Sequence, residues 1–367
     1  MFVASFLLGV CLLIAPPGYP ERVFFQSSVL RDLKLTAVEG DFSILDDAGE
    51  PVKINAVRDE AGVLYWHRRI LTGVCLTGEC KMVDVGLYWY CTGDFMGLEV
   101  YREPLTKTDH SVFSAADYEK LLSVLGDDWS ILREYELSDL VEENGGTAEA
   151  AESGEGVDAT TGATKKEIAE AAVEDAAYTT FTLWHLVHVG EKEQLTALTA
   201  GLLDQGKLAV PLLRQGEKRY KYFLLELLAG KRIAPSETMT QLLIEGLNAA
   251  GDPALRNLAI NALSHADPAR PLIQAELAKT YPRASLDEKL RILAALEGLR
   301  GMDAVLRDAL TADLSSGNEW FSIRLLKVLK SVFPRGDEMV AAAEKLLESD
   351  NPVVREAAKE FIDSNKQ

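Results

Sequence analysis

Hydrophobic and polar positions change their spacing about halfway along the chain. From Arg22 to Glu103 the apolar residues run in short stretches rich in Val, Leu, Tyr and Trp: VRDEAGVLYWHRRI, KMVDVGLYWY and GLEVYRE. Polar and glycine clusters separate them, at Asp46-Asp47-Ala48-Gly49, Glu60-Ala61-Gly62 and Thr92-Gly93-Asp94. This pattern predicts strands joined as antiparallel hairpins. Ser114-Ala115-Ala116-Asp117 then opens a helix, with Ser114 at the N-cap and Asp117 complementing the dipole. Tyr118, Leu121, Leu122 and Leu125 form its apolar face, and Gly126-Asp127-Asp128 ends it. The stretch 142–156, EENGGTAEAAESGEG, has only small, polar and acidic residues. It has nothing to bury and reads as a mobile loop or insertion.

From Lys165 onward the spacing is helical almost to the end. Five helices carry a basic residue followed by an apolar face: Lys221, Arg256, Arg291, Arg324 and Arg355. Their separations are 35, 35, 33 and 31 residues. Two copies open with related turns, GDPALR at 251–256 and SDNPVVR at 349–355, in which Asp caps and Pro pre-organises the helix. Such a period predicts stacked helical hairpins, each too small to fold alone. The Asp-Pro…Val-Arg pattern resembles HEAT repeats from about Leu195 to the end.

Length and charge narrow the function classes. The chain has 367 residues, of which 47% are hydrophobic and 26% charged, a globular composition suggesting about two domains. A net charge of −19 argues against binding a phosphate backbone, so no nucleic-acid partner is expected. Met1 to Ile14, MFVASFLLGVCLLI, carries no charge and falls short of the roughly 20 residues a spanning helix needs. It reads as a signal-peptide core or N-terminal anchor within 1–20 and implies export. Cys11 invites a lipoprotein reading, but Val10 is larger than a lipidation signal favours. Cys75 and Cys80 flank Thr77-Gly78, a turn that lets the two bridge, as a structural disulfide or as a redox pair. Cys91 is left unpaired and half-buried in this reading.

The segment 157–167, VDATTGATKKE, carries the most chemistry. Thr164 with Glu167 reads as a capping box at the start of a helix. Small neighbours leave the Thr164 hydroxyl open to another molecule. A helix start with Lys165 and Lys166 suits a phosphate-bearing oxygen. Asp158-x-x-Thr161-Gly162-Ala163-Thr164 resembles the flavinylation motif of FMN-binding domains, found in Rnf-type electron-transport complexes and the sodium-pumping NADH:quinone oxidoreductase. LTKTDHSVFSAADYEKLLSVLGDDWSIL at 105–132 and AYTTFTLWHL after the motif look like exported proteins of that kind, so the resemblance spans about 87–189. It implies FMN esterified through its phosphate to Thr164 by a flavin transferase. Lys166 departs from the motif, where many members carry Thr or Ser.

The expected fold is therefore α+β: an N-terminal antiparallel β-rich FMN-binding-like domain over 21–190, then an all-α HEAT-like repeat domain over 191–367. The expected cofactor site is Thr164, Asp158, Thr161, Gly162 and Ala163, with Lys107 near the phosphate and His110 near the flavin or capping a turn. His185 and His188 read as an amphipathic packing face. Trp66, Trp89, Tyr88 and Tyr90 read as core-filling strand aromatics that are also able to stack on a flavin. The expected function is extracytoplasmic electron transfer with a membrane or periplasmic redox partner. The alternative is an interaction scaffold carrying a degenerate FMN-binding domain.

Overall fold

The computed structural model describes residues 23–46, 49–74, 81–140, 166–188, 190–204, 209–315, 318–332 and 337–364. The fold is α+β, and the chain divides into two compact units, 1–199 and 200–367.

The first unit is built on seven strands: β1 (Val23–Gln26), β2 (Thr36–Ala37), β3 (Phe42–Leu45), β4 (Pro51–Arg58), β5 (Leu64–Thr72), β6 (Val83–Tyr90) and β7 (Phe95–Tyr101). The short helix α1 (Ser28–Arg31) follows β1. The strand order is β1-β7-β6-β5-β4-β2, with β3 also on β4, and every pairing is antiparallel. The expected hairpins are present in β4–β5, β5–β6 and β6–β7. Pairing of β1 with β7 sets Val23 opposite Tyr101.

Alternation gives the sheet two different faces. One carries Trp66, Val85, Leu87, Trp89, Leu98 and Val100, all fully buried. Beyond α1, the described residues of this unit form α2 (Ala115–Leu125), α3 (Lys166–Ala171) and α4 (Ala177–His188), followed by α5 (Glu191–Asp204), in which the division between units falls. The apolar face packs toward them. Phe25 of β1 stacks on Tyr118 of α2 with ring centres 3.9 Å apart. Trp89 Nε1 donates to the Val187 carbonyl at 3.2 Å, and Trp66 Nε1 to Thr199 Oγ1 at 3.0 Å. Both indoles are thus buried with their polar atom satisfied, as burial requires. The β6–β7 turn holds Gly93 at φ +86°, where an added Cβ would stand 2.7 Å from the Lys192 carbonyl, so this approach requires glycine.

The second unit is all-α among the described residues. It contains α6 (Ala209–Arg214), α7 (Lys218–Ala229), α8 (Glu237–Leu247), α9 (Pro253–Ala262), α10 (Pro271–Thr280), α11 (Leu286–Leu296), α12 (Ala304–Ala312), α13 (Glu319–Lys330), α14 (Asp337–Lys345) and α15 (Pro352–Ser364). Helices α7, α9, α11, α13 and α15 pack side by side in one row, and α8, α10, α12 and α14 in a second. The five periodic basic residues all fall on the first row. Buried Leu224, Leu228, Leu243, Ile260, Leu293, Leu325 and Phe361 fill the unit. Polar contacts tie each helix to the next in its row: Arg256 of α9 to Glu288 at 2.6 Å, and Arg291 of α11 to Asn257 at 2.8 Å. In the other row the N-cap residue Arg270 donates to Thr240 at 2.8 Å.

Candidate functional site

The motif residues Asp158, Thr161, Gly162, Ala163 and Thr164 lie outside the described residues, as do Cys75, Cys80, Cys11, the 1–20 segment and the 142–156 stretch. The surroundings into which the motif leads are described. Helix α3 begins at Lys166, two residues beyond Thr164, and is six residues long. Glu167 in its first turn accepts from the Tyr135 hydroxyl at 2.8 Å. The 3-10 turn Ile131–Glu134, capped by Ser130, packs on α3. Just before it stands Trp129, 80% exposed, with the Arg133 guanidinium 5.0 Å from its ring centre.

Lys107 and His110 lie on a turn that a chain of local bonds shapes. The Lys107 N–H donates to the Ser111 carbonyl at 2.8 Å, and the His110 N–H to the Lys107 carbonyl at 3.0 Å. His110 is exposed with φ 65°, which identifies its turn-forming role. The neighbouring Thr108 donates through both N–H and hydroxyl to the Asp175 carbonyl, at 2.7 and 2.8 Å, which pins the turn to the connection between α3 and α4. Lys107 Nζ pairs with Asp117 Oδ1 at 3.1 Å, and this hydrogen bond raises the lysine pKa. Asp117 is also the box residue of α2: it accepts from Ser114 N–H at 2.8 Å while Ser114 Oγ accepts from Asp117 N–H at 3.3 Å. Lys107 therefore braces the start of α2.

The remaining candidates have packing roles. His185 bonds the Phe181 carbonyl at 3.0 Å and stacks on its ring. His188 bonds the Leu125 carbonyl at 2.8 Å, and burial lowers its pKa, so it is neutral near pH 7. Cys91 is fully buried rather than half-buried, under the Thr199 hydroxyl that donates to its carbonyl at 2.7 Å. Trp66 and Trp89 fill the core, whereas Tyr88 points to the opposite face of the sheet and bonds Glu99 at 2.8 Å.

Sequence reading passed over Trp129, Arg133 and Tyr135. Their signal was an exposed indole in the polar run GDDWS, which period-based reading treats as the end of a helix. Among the described residues no group of three or more His, Cys, Asp or Glu side chains is placed to hold a metal ion. No helix among them is long and apolar enough to cross a membrane. Comparisons with family models, with curated proteins and with solved structures found no match to this chain.

Proposed function

We propose that this chain is an extracytoplasmic flavoprotein that carries FMN on Thr164 and transfers electrons to or from a membrane or periplasmic redox partner. The observation that carries the reading is the placement of Asp158-x-x-Thr161-Gly162-Ala163-Thr164 directly before α3. Beside α3, Trp129 offers an exposed π-face on which an aromatic group could stack, with the Arg133 guanidinium, paired to Glu134 at 3.0 Å, 5.0 Å from its ring centre. Lys107 is committed to Asp117, so the phosphate falls to other residues of this chain. FMN supplies redox chemistry when bound, and the chain's residues supply position and charge. The Thr164 hydroxyl is the attachment point in this reading, and a flavin transferase the modifying partner.

The helical unit is a HEAT-like scaffold in this reading, docking the partner on its extended surface. Its two rows of helices, and the repeat of Lys221, Arg256, Arg291, Arg324 and Arg355 along one of them, support that assignment. The same rows favour the second reading, a scaffold without flavin. Intact mass separates the two. Co-expression with a flavin transferase is expected to add one FMN less water to the exported wild type and nothing to Thr164→Ala. Absence of that gain, in protein without yellow colour, overturns the flavoprotein reading and leaves the scaffold.

A further inference from the structure

The sheet face turned away from the helix-packed core carries a cluster that the flavin reading does not use. His67 of β5, Tyr88 of β6, and Glu99 and Tyr101 of β7 share this face, since His67 pairs with Tyr88 and Glu99 with Gly86 in register. The Glu99 carboxylate gathers three donors. Tyr88 Oη donates to Oε2 at 2.8 Å, Tyr101 Oη donates to the same oxygen, and Gln26 Nε2 donates to Oε1 at 2.7 Å. His67 lies with its ring centre 4.5 Å from that of Tyr88. Its Nε2 is buried and has no hydrogen-bond partner. A Cβ built on Gly86 would stand 2.8 Å from Tyr101 Oη and 3.1 Å from His67 Nε2, so both atoms converge over the backbone of Gly86, an approach that a side chain there would block. The Arg69 guanidinium sits 4.1 Å over the Tyr101 ring and bonds both oxygens of Asp84, at 3.0 and 3.2 Å, a carboxylate it shares with Arg102 at 2.8 Å.

We propose that His67, Tyr88, Glu99 and Tyr101 form a site for a hard trivalent cation of the ferric type. Oxygen donors suit hard cations, and imidazole is a ligand common to iron. One carboxylate and two phenolates carry three negative charges, which a trivalent ion balances with the imidazole neutral. Binding breaks the two phenol O–H bonds, releases two protons to solvent and forms two metal–oxygen bonds, with no change of oxidation state. Arg69 over the ring favours the phenolate, and Gln26 holds the second carboxylate oxygen in place. This inference rests on described residues alone and is independent of any flavin on Thr164.

The test uses the full chain expressed without a flavin transferase, so that no covalent flavin absorbs. The protein is incubated with ferric nitrilotriacetate, excess iron is removed, and iron content and visible absorbance are measured. The expected result is one iron per chain with a tyrosinate-to-iron charge-transfer band. Tyr88→Phe and Tyr101→Phe are each expected to weaken binding roughly tenfold or more, and together to abolish the band. His67→Gln weakens binding while keeping a band. Tyr65→Phe, which removes a hydroxyl bound to Asp59 on the same strand, leaves iron binding unchanged. Absence of iron or of the band in folded wild type, judged by circular dichroism, overturns the proposal. So does a band that persists in the folded double tyrosine variant, because the iron then sits elsewhere.

Discussion

The two units hold together over different distances along the chain. In the sheet unit, Ser27 bonds the Leu98 carbonyl across 71 positions, Trp89 reaches Val187 across 98, and Trp66 reaches Thr199 across 133. In the helical unit, the bonds joining one helix to the next in its row span 28 to 34 positions. Charge divides just as unevenly. Residues 1–199 hold 15 Lys and Arg against 34 Asp and Glu, whereas residues 200–367 hold 23 of each. The whole net charge of −19 therefore belongs to the first unit. Long-range closure makes the sheet unit all-or-none, because no part of it is complete without distant residues. Neighbour-only contacts make the helical unit approximately a sum of local terms.

The largest expected effects test that contrast. Trp66→Ala should cost the sheet unit about 3–5 kcal/mol and expose it to hydrogen exchange in one step. Phe361→Ala removes a fully buried ring from α15 at comparable chemical cost. Its loss of protection should be confined to α13–α15. Loss of protection in α7–α9 as well would break the neighbour-only account.

Acid should separate the units next. The folded-state pKa of His67 is about 4, below its ordinary 6.5, so the unfolded chain binds its proton first as pH falls. The sheet unit then loses stability between about pH 6.5 and 4, by about 2 kcal/mol after allowance for partial exposure. Asp252 in the helical unit is held down to about 2 by bonds from Tyr222, Leu255 and Lys218. Its contribution is present above its ordinary 3.8 and is lost only as pH falls toward 2. Near-ultraviolet circular dichroism from the sheet tryptophans should therefore change at a higher pH than the far-ultraviolet helical signal. Coincident transitions would contradict this ordering.

Smaller effects sharpen the picture locally. Arg256 and Glu288 side chains are only 18% and 16% exposed, so Arg256→Gln should cost about 2 kcal/mol, largely shared with Glu288→Gln in a double-mutant cycle. Additive losses would show that the pair is not a unit. Ser114→Ala should cost about 1 kcal/mol by removing the cap of α2, measurable as a lower denaturation midpoint of the sheet unit.

How far each unit was legible follows from the same length scales. The Ser114 cap of α2 and the period of Lys221, Arg256, Arg291, Arg324 and Arg355 depend on residues a few positions or one period apart, and both are read from the chain, whereas the return bond from Asp117 to the Ser114 N–H emerges only in the structure. Pairing of Val23 with Tyr101 depends on closing a long loop, which no local pattern encodes. The His67–Tyr88–Glu99–Tyr101 cluster depends on strand register across three strands, and a slip of one residue would disperse it. The pairing of Lys107 with Asp117, ten positions away and beyond the bridge between Thr106 and Val112, is likewise not encoded by any local period. Trp129 and Arg133 carry no period at all.

The row arrangement also constrains how this chain can change its length. Each interior helix meets its partners one period before and one period after, so removing a whole period brings another helix of the same row into each vacated place. An insertion or deletion of any other size in a helix would shift Arg291 away from Asn257 and leave the buried leucines out of step. Copy number in the helical unit is thus open to duplication and loss by recombination, whereas the sheet unit admits no such increment.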